Sequence, residues 1–293
     1  MRQLRTRRIR RRHFWALTLL SAILTTFSPF RAAAQDAGAG AAAAAPGVTY
    51  ARVADLVTAS SAIATVRVRA FAPVPPARAT GLPAGQVRYY VEADALGLIR
   101  GTTVLSRRVS FLLDLPATDR KPDLKKRSFL IFGRIGNQVD YFQLLSSSAL
   151  IDWTPANEAL VRKVLADAIA PDAPPAITGI SSVFHVAGAI QGEGETQIFL
   201  STGDGSPISL SIIRRPDEKP LLAVALGEVV DDNAIFPKPD TMLWYRLSCG
   251  LPRAIPPKTT EGLAMADIDA ARRDYAAFLA ALAPCDRTGA PPA

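Results

Sequence analysis

Two rhythms of apolar and polar positions run through the chain. Val53, Leu56 and Val57 recur at helical spacing, and then Ala64, Val66, Val68 and Ala70 alternate with Thr65, Arg67 and Arg69. A period of two places those sets on opposite faces of a strand. A proline-rich loop from Pro73 to Pro83 ends it. The alternation resumes with Val87, Tyr89, Val91, Ala93 and Ala95, returns with Val109, Phe111, Leu113 and Leu115, and is completed by "SFLIFGR" and "VDYFQLL". Five such strands in close succession predict a small closed barrel, because closure removes the open edges. In "WTPANEALVRKVLADAI" Thr154 is placed to cap a helix and Pro155 to open it, while Leu160, Val161, Val164, Leu165 and Ala168 form one stripe that would pack on the barrel.

The pattern from Ile177 onward is again rich in strands. "TQIFLS", "SPISLSII", "PLLAVALGEVV" and "TMLWYRLSC" are apolar runs with strand-favouring residues, and "TGDG", Thr202 to Gly205, suits a hairpin turn. Ile268, Ala271, Tyr275, Phe278, Leu279 and Leu282 then make one helical stripe opposite Asp269, Arg272, Arg273 and Asp274. The expected fold is mainly β with flanking helices: a small OB-like five-stranded barrel plus a second β-rich domain covered by a C-terminal helix. The boundaries are a leader at 1–34, an Ala/Gly linker at 35–48, the barrel with its helix at 49–170, a Pro-rich linker at 171–176, and the second domain at 177–293.

The stretches "ADLVTASSAIATVRVRAF", "VRYYVEADALGLIRG", "RVSFLLDLP" and "DLKKRSFLIFGR", within residues 53–145, occur in an order that resembles the netrin-type or tissue-inhibitor-type OB barrel. The resemblance implies a fold and no more. The N-terminal cysteine through which tissue inhibitors chelate a protease metal is missing here, as is their disulfide set, so inhibition by that route does not carry over.

The first residues change the electrostatic picture. Met1 to His13 holds seven arginines and no acid, Phe14 to Phe30 is apolar but diluted by Thr and Ser, and Ala32-Ala33-Ala34 offers small residues for cleavage before Gln35. Basic region, apolar region and cleavage site in that order predict a secretory leader. A membrane span would want about 20 apolar residues. "RRHFW" resembles the twin-arginine signal for folded export, although Arg10 stands where Ser or Thr is usual, and ordinary unfolded secretion stays open. Of 34 Lys+Arg and 26 Asp+Glu, residues 1–34 contain eight Arg and no acid, so the rest is balanced at 26 against 26. Nucleic-acid binding by bulk charge therefore loses its basis. The remaining charge is uneven: residues 48–170 carry 16 basic and 10 acidic side chains, whereas 171–293 carry 10 and 15. Opposite signs favour contact between the two halves, or two partners of opposite charge.

Candidate chemistry is sparse. Once His13 leaves with the leader His185 stands alone, which excludes zinc sites with several imidazoles, and the GxSxG, Walker A and GxGxxG patterns are absent. No cofactor or metal is expected. "GISSVFHV" places Ser181 and Ser182 near His185, and a serine hydrolase would need Asp204 or Asp231 to orient that imidazole. Ser182 and His185 are three apart, however, which puts them on opposite faces of a strand. Glu193 and Glu195 read as a solvated turn or as paired carboxylates, and Asp231, Asp232 and Asn233 as a turn or part of a calcium site. "RKPDLKKR" gathers Arg120, Lys121, Lys125, Lys126 and Arg127 in one loop between barrel strands, where such folds hold ligands.

The function expected is that of an exported, non-catalytic binding or assembly protein of the bacterial envelope, periplasmic or secreted. The basic loop would meet an acidic protein or an anionic envelope polymer, with no nucleic acid and no membrane span after cleavage. The alternatives are a secreted serine hydrolase and a protease inhibitor that uses the barrel edge. Cys249 and Cys285 are expected to form a disulfide, since an oxidising compartment permits it and neither lies in a CxxC motif.

Overall fold

A computed structural model describes residues 47–102, 104–227 and 235–288. The expected leader, 1–34, lies outside the described residues, as does most of the expected linker.

Helix α1 (Tyr50–Ala59) begins at Thr49, whose side chain accepts a hydrogen bond from the Arg52 N–H. Strands β1 (Ala62–Pro73), β2 (Gln86–Arg100), β3 (Arg108–Pro116), β4 (Ser128–Ile135), β5 (Phe142–Leu144) and β6 (Leu150–Asp152) follow. They form one sheet in the order β3-β2-β1-β4-β5, with β6 also paired to β4. A parallel bridge between Ser110 of β3 and Tyr141 beside β5 nearly closes the five-stranded barrel, so the OB-like expectation holds. Gly133 permits the tight β4–β5 contact, since an added Cβ would overlap the Gln143 carbonyl.

Strands β1 and β4 are buried on both faces. Ala64, Val66, Phe129 and Ile131 point into the barrel with Val91, Phe111 and Leu113. Ile63, Leu130 and Phe132 point the other way, into a larger core. That outer face is covered by α1, on which α2 (Pro155–Ile169) packs, with Val161 and Val164 fully buried. Thr154 caps α2 and Pro155 opens it, as its pattern indicated. The helix rests chiefly on α1 rather than directly on the barrel.

The second sheet is an antiparallel meander of β7 (Ile177–Ala187), β8 (Gly194–Thr202), β9 (Ile208–Arg214) and β10 (Leu221–Ala225). Its inner residues Ile180, Val183, Ile198, Leu200, Leu210 and Ile212 join the same larger core as α1, α2 and β4. Helix α4 (Met265–Ala281) covers it through Ala271, Tyr275 and Phe278.

Two expectations need correction. "TMLWYRLSC" is not a strand: Thr241 caps helix α3 (Met242–Gly250) by accepting from the Trp244 N–H. Burial of Met242, Leu243, Trp244, Tyr245 and Leu247 between α1, α2 and β7 gives an apolar run that sequence alone cannot tell from a buried strand. Asp274, assigned to the solvent side of α4, is 1% accessible. The disulfide between Cys249 and Cys285 is formed, with Cα atoms 5.2 Å apart, but it leaves from α3 instead of from a strand. Among the described residues no helix is long and apolar enough to cross a membrane.

Candidate functional site

The loop from residue 117 to 127 joins β3 to β4 at one end of the barrel. Leu124, 1% accessible, inserts into the barrel core and anchors it. The Lys126 N–H donates to the Val68 carbonyl and the Val68 N–H to the Arg127 carbonyl, both at 2.9 Å. Lys126 turns the chain with φ at 67°, in the left-handed region. The loop backbone is thus joined to β1 while its basic side chains stay outside.

Those side chains divide into two kinds. Arg127 is a structural tie: it donates to the Asp123 carbonyl at 2.9 Å, pairs with Asp152, and lies 5.2 Å over the Phe129 ring. Arg120, Lys121, Lys125 and Lys126 are exposed, and none of them takes part in an ion pair among the described residues. Lys121 places its ammonium 5.2 Å over Phe71, which meets Tyr89 edge to face. Cations nearby are matched: Arg69 pairs with Asp94 at 3.0 Å, and Arg88 holds both oxygens of Asp114 at 2.7 Å. The loop also holds Asp119 and Asp123, so its five cations leave a net of three positive charges, to which Arg67 of β1 adds one more at this edge. Three lysine ammoniums are point charges without the planar fork of arginine, an arrangement that suits charge density more than one fixed geometry.

The hydrolase residues do not converge. A bulge in β7 pairs Ile180 with Leu200 and Ser182 with Phe199, and the intervening Ser181 donates to the Phe199 carbonyl at 3.1 Å. Val183 and His185 face α4, so Ser182 faces away from them. Asp204 sits at the far end of the β7–β8 hairpin from the His185–Thr196 pair, where the Ser206 N–H and the Thr202 hydroxyl hold its carboxyl below the usual range. Asp231, Asp232 and Asn233 lie outside the described residues. Glu193 folds over Gly188, and Glu195 accepts from Gln197 at 2.9 Å on the outer face of the sheet.

His185 belongs instead to a polar network under α4. Its Nδ1 lies 2.9 Å from the Thr196 hydroxyl, which donates to one oxygen of Asp274, while Arg214 holds the other. Because Thr196 gives its proton to the carboxylate, it accepts from His185, and the imidazole carries hydrogen on Nδ1. Nothing in the spacing of His185, Thr196, Arg214 and Asp274 signals this cluster, since its members come from three strands and a helix. Among the described residues no group of acidic, histidine or cysteine side chains could hold a metal ion. No family model matches this sequence, and neither does any curated protein.

Proposed function

We propose that the protein is an exported, non-catalytic binding or assembly factor of the bacterial cell envelope, periplasmic or secreted, whose basic loop edge holds an acidic protein or an anionic envelope polymer. The observation that carries this reading is the contrast within one surface. Arg69, Arg88 and Arg127 are each matched by a carboxylate, whereas Arg120, Lys121, Lys125 and Lys126 stand exposed on a loop whose backbone is tied to β1. Among the described residues those four charges enter no ion pair, which leaves them available to a partner. The arginine-rich leader with its small-residue cleavage site supports the compartment.

The test is to change Arg120, Lys121, Lys125 and Lys126 together to Gln, leaving Arg127 and its tie to Asp152 intact. Retention on immobilised poly-L-glutamate and recovery of envelope partners by pull-down should both fall. Wild-type retention should weaken as salt rises, because exposed charges are screened over about 10 Å at 0.1 M ionic strength. Undiminished retention by the variant, or binding indifferent to salt, would refute the proposal.

A further inference from the structure

A small cleft opens on the outer wall of the barrel, between β1–β2 and the start of α2. It encloses about 230 Å³. The register of β1 and β2 builds it: Thr65 pairs with Gly97 and Val66 with Ala95, so Leu96 is an extra residue. That bulge brings Leu96 and Gly97 together onto the outer face opposite Thr65. Gly97 leaves the floor open, since an added Cβ would meet nothing within 4 Å. Leu96, 50% exposed, and Trp153, 39% exposed, form apolar walls.

The polar groups of the cleft are unevenly satisfied. Glu158 on the rim is fully engaged: Arg162 donates to one oxygen through Nε at 2.9 Å and Nη2 at 2.7 Å, and the Trp153 indole N–H donates to the other at 2.6 Å. The Arg67 side chain makes one hydrogen bond among the described residues, from Nε to the Ser128 hydroxyl at 3.4 Å, so both terminal nitrogens of its guanidinium lack a partner among them. Thr65 is 6% accessible and lines the cleft, and its side-chain hydroxyl has no hydrogen-bond partner among the described residues. The Thr65 hydroxyl and an unmatched guanidinium therefore face one space, beside an acid already paired with Arg162. With Arg162 balancing Glu158, the lining carries one net positive charge.

We propose that this cleft binds the carboxylate of an acid with a compact apolar body. One carboxylate matches the single net charge, takes two parallel bonds from the fork of Arg67, and accepts a third from Thr65 or Ser128. The apolar body lies over Gly97 between Leu96 and the Trp153 ring, which removes apolar surface from water without displacing any protein atom. This site does not rest on the polyanion reading of the loop, because it uses neither the loop lysines nor Arg120. The carboxylate comes either from a free small acid or from the C-terminus of a peptide.

Nuclear magnetic resonance of the Trp153 indole N–H, assigned with Trp153→Phe, tests the proposal. The probes are 3-phenylpropanoate, its uncharged amide, and N-acetyl-alanyl-phenylalanine as a peptide end. The acid should shift the resonance saturably and the amide should not. Arg67→Gln, a change at an exposed side chain, should weaken binding by about tenfold or more, the worth of one lost charge-assisted bond. Gly97→Leu should abolish it by filling the floor. Tighter binding of the peptide acid would name a chain terminus as the ligand, and equal or weaker binding a small acid. The quadruple loop variant should bind 3-phenylpropanoate as the wild type does, so failure of the polyanion reading is seen separately. No saturable shift, an equal response to the amide, or undiminished binding by Gly97→Leu and Arg67→Gln would overturn the assignment.

Discussion

Arg214 of β9 and Asp274 of α4 form an ion pair beneath the helix that covers the second sheet, with the carboxylate 1% accessible and the arginine side chain 34% exposed. Among the described residues Asp274 meets this guanidinium, the Thr196 hydroxyl and, at 3.9 Å, Nδ1 of His185. Replacing Arg214 by Ala leaves a buried carboxylate without its cation, a loss that costs about 3–5 kcal/mol in comparable sites. Replacing both partners with Leu should recover most of that, since the desolvation cost disappears with the charges. Urea denaturation of the two variants checks this. A loss below about 1 kcal/mol for Arg214→Ala would place the pair among surface bridges of small worth.

The disulfide fixes the tail on α3. Cys249 and Cys285 are 36 residues apart, and the Ala283 carbonyl beside them accepts from the Trp244 indole at 2.9 Å and the Ser248 hydroxyl at 2.7 Å. Closing a loop of that length stabilises the fold by about 4 kcal/mol in the chain-entropy model. The Cys249→Ser, Cys285→Ser double variant should therefore unfold at lower denaturant by about 2–4 kcal/mol, with native-like spectra retained. Alkylation of unreduced native protein should find no thiol. Two modified cysteines would contradict the bond.

Much of the architecture was legible because its elements carry a single period. Val53, Leu56 and Val57 announced α1, and the alternation from Ala64 to Ala70 announced β1. Elements buried on several sides lost that signal, which is why α3 read as a strand. Asp274 was misplaced for a different reason: helical spacing shows which face a residue occupies, but not that Arg214 and Thr196 wait on another element to pair with it. The carboxylate cleft was hidden by the bulge at Leu96, since one inserted residue reverses the alternation beyond it. Its one advance mark was Gly97 inside an apolar strand pattern, where glycine commonly signals a bulge.

The larger core makes the two sheets dependent on each other. Phe132 of β4, Val57 of α1, Trp244 of α3 and Ile198 of β8 belong to one contiguous apolar cluster. Unfolding should therefore be a single transition. Variants keeping only Trp153, beside the barrel, or only Trp244, in α3, report on the two regions separately, and their urea midpoints should coincide. Phe132→Ala, which empties a fully buried site facing that shared core, should lower both midpoints together, for a loss of about 3–5 kcal/mol in unfolding free energy. Two separated midpoints in the parent protein would instead divide the chain into independent units at the Pro-rich segment 171–176.

Glu158 ties the cleft to pH. The hydrogen bond from Trp153, and then those from Arg162, hold its carboxyl below its ordinary value of 4.5. A depressed folded pKa means that the contribution of the tie is fully present above the unfolded value and is lost as pH falls through the folded one. The Trp153 indole N–H should therefore keep its hydrogen-bonded resonance from neutral pH down past 4.5 and shift only below it. Because the carboxylate stays partly open to solvent, its side chain 24% accessible, the accompanying change in global stability should be small. Glu158→Gln should remove this titration while leaving the rest of the spectrum in place. A midpoint at or above 4.5 in the wild type would show that the carboxylate gains nothing from Trp153 and Arg162.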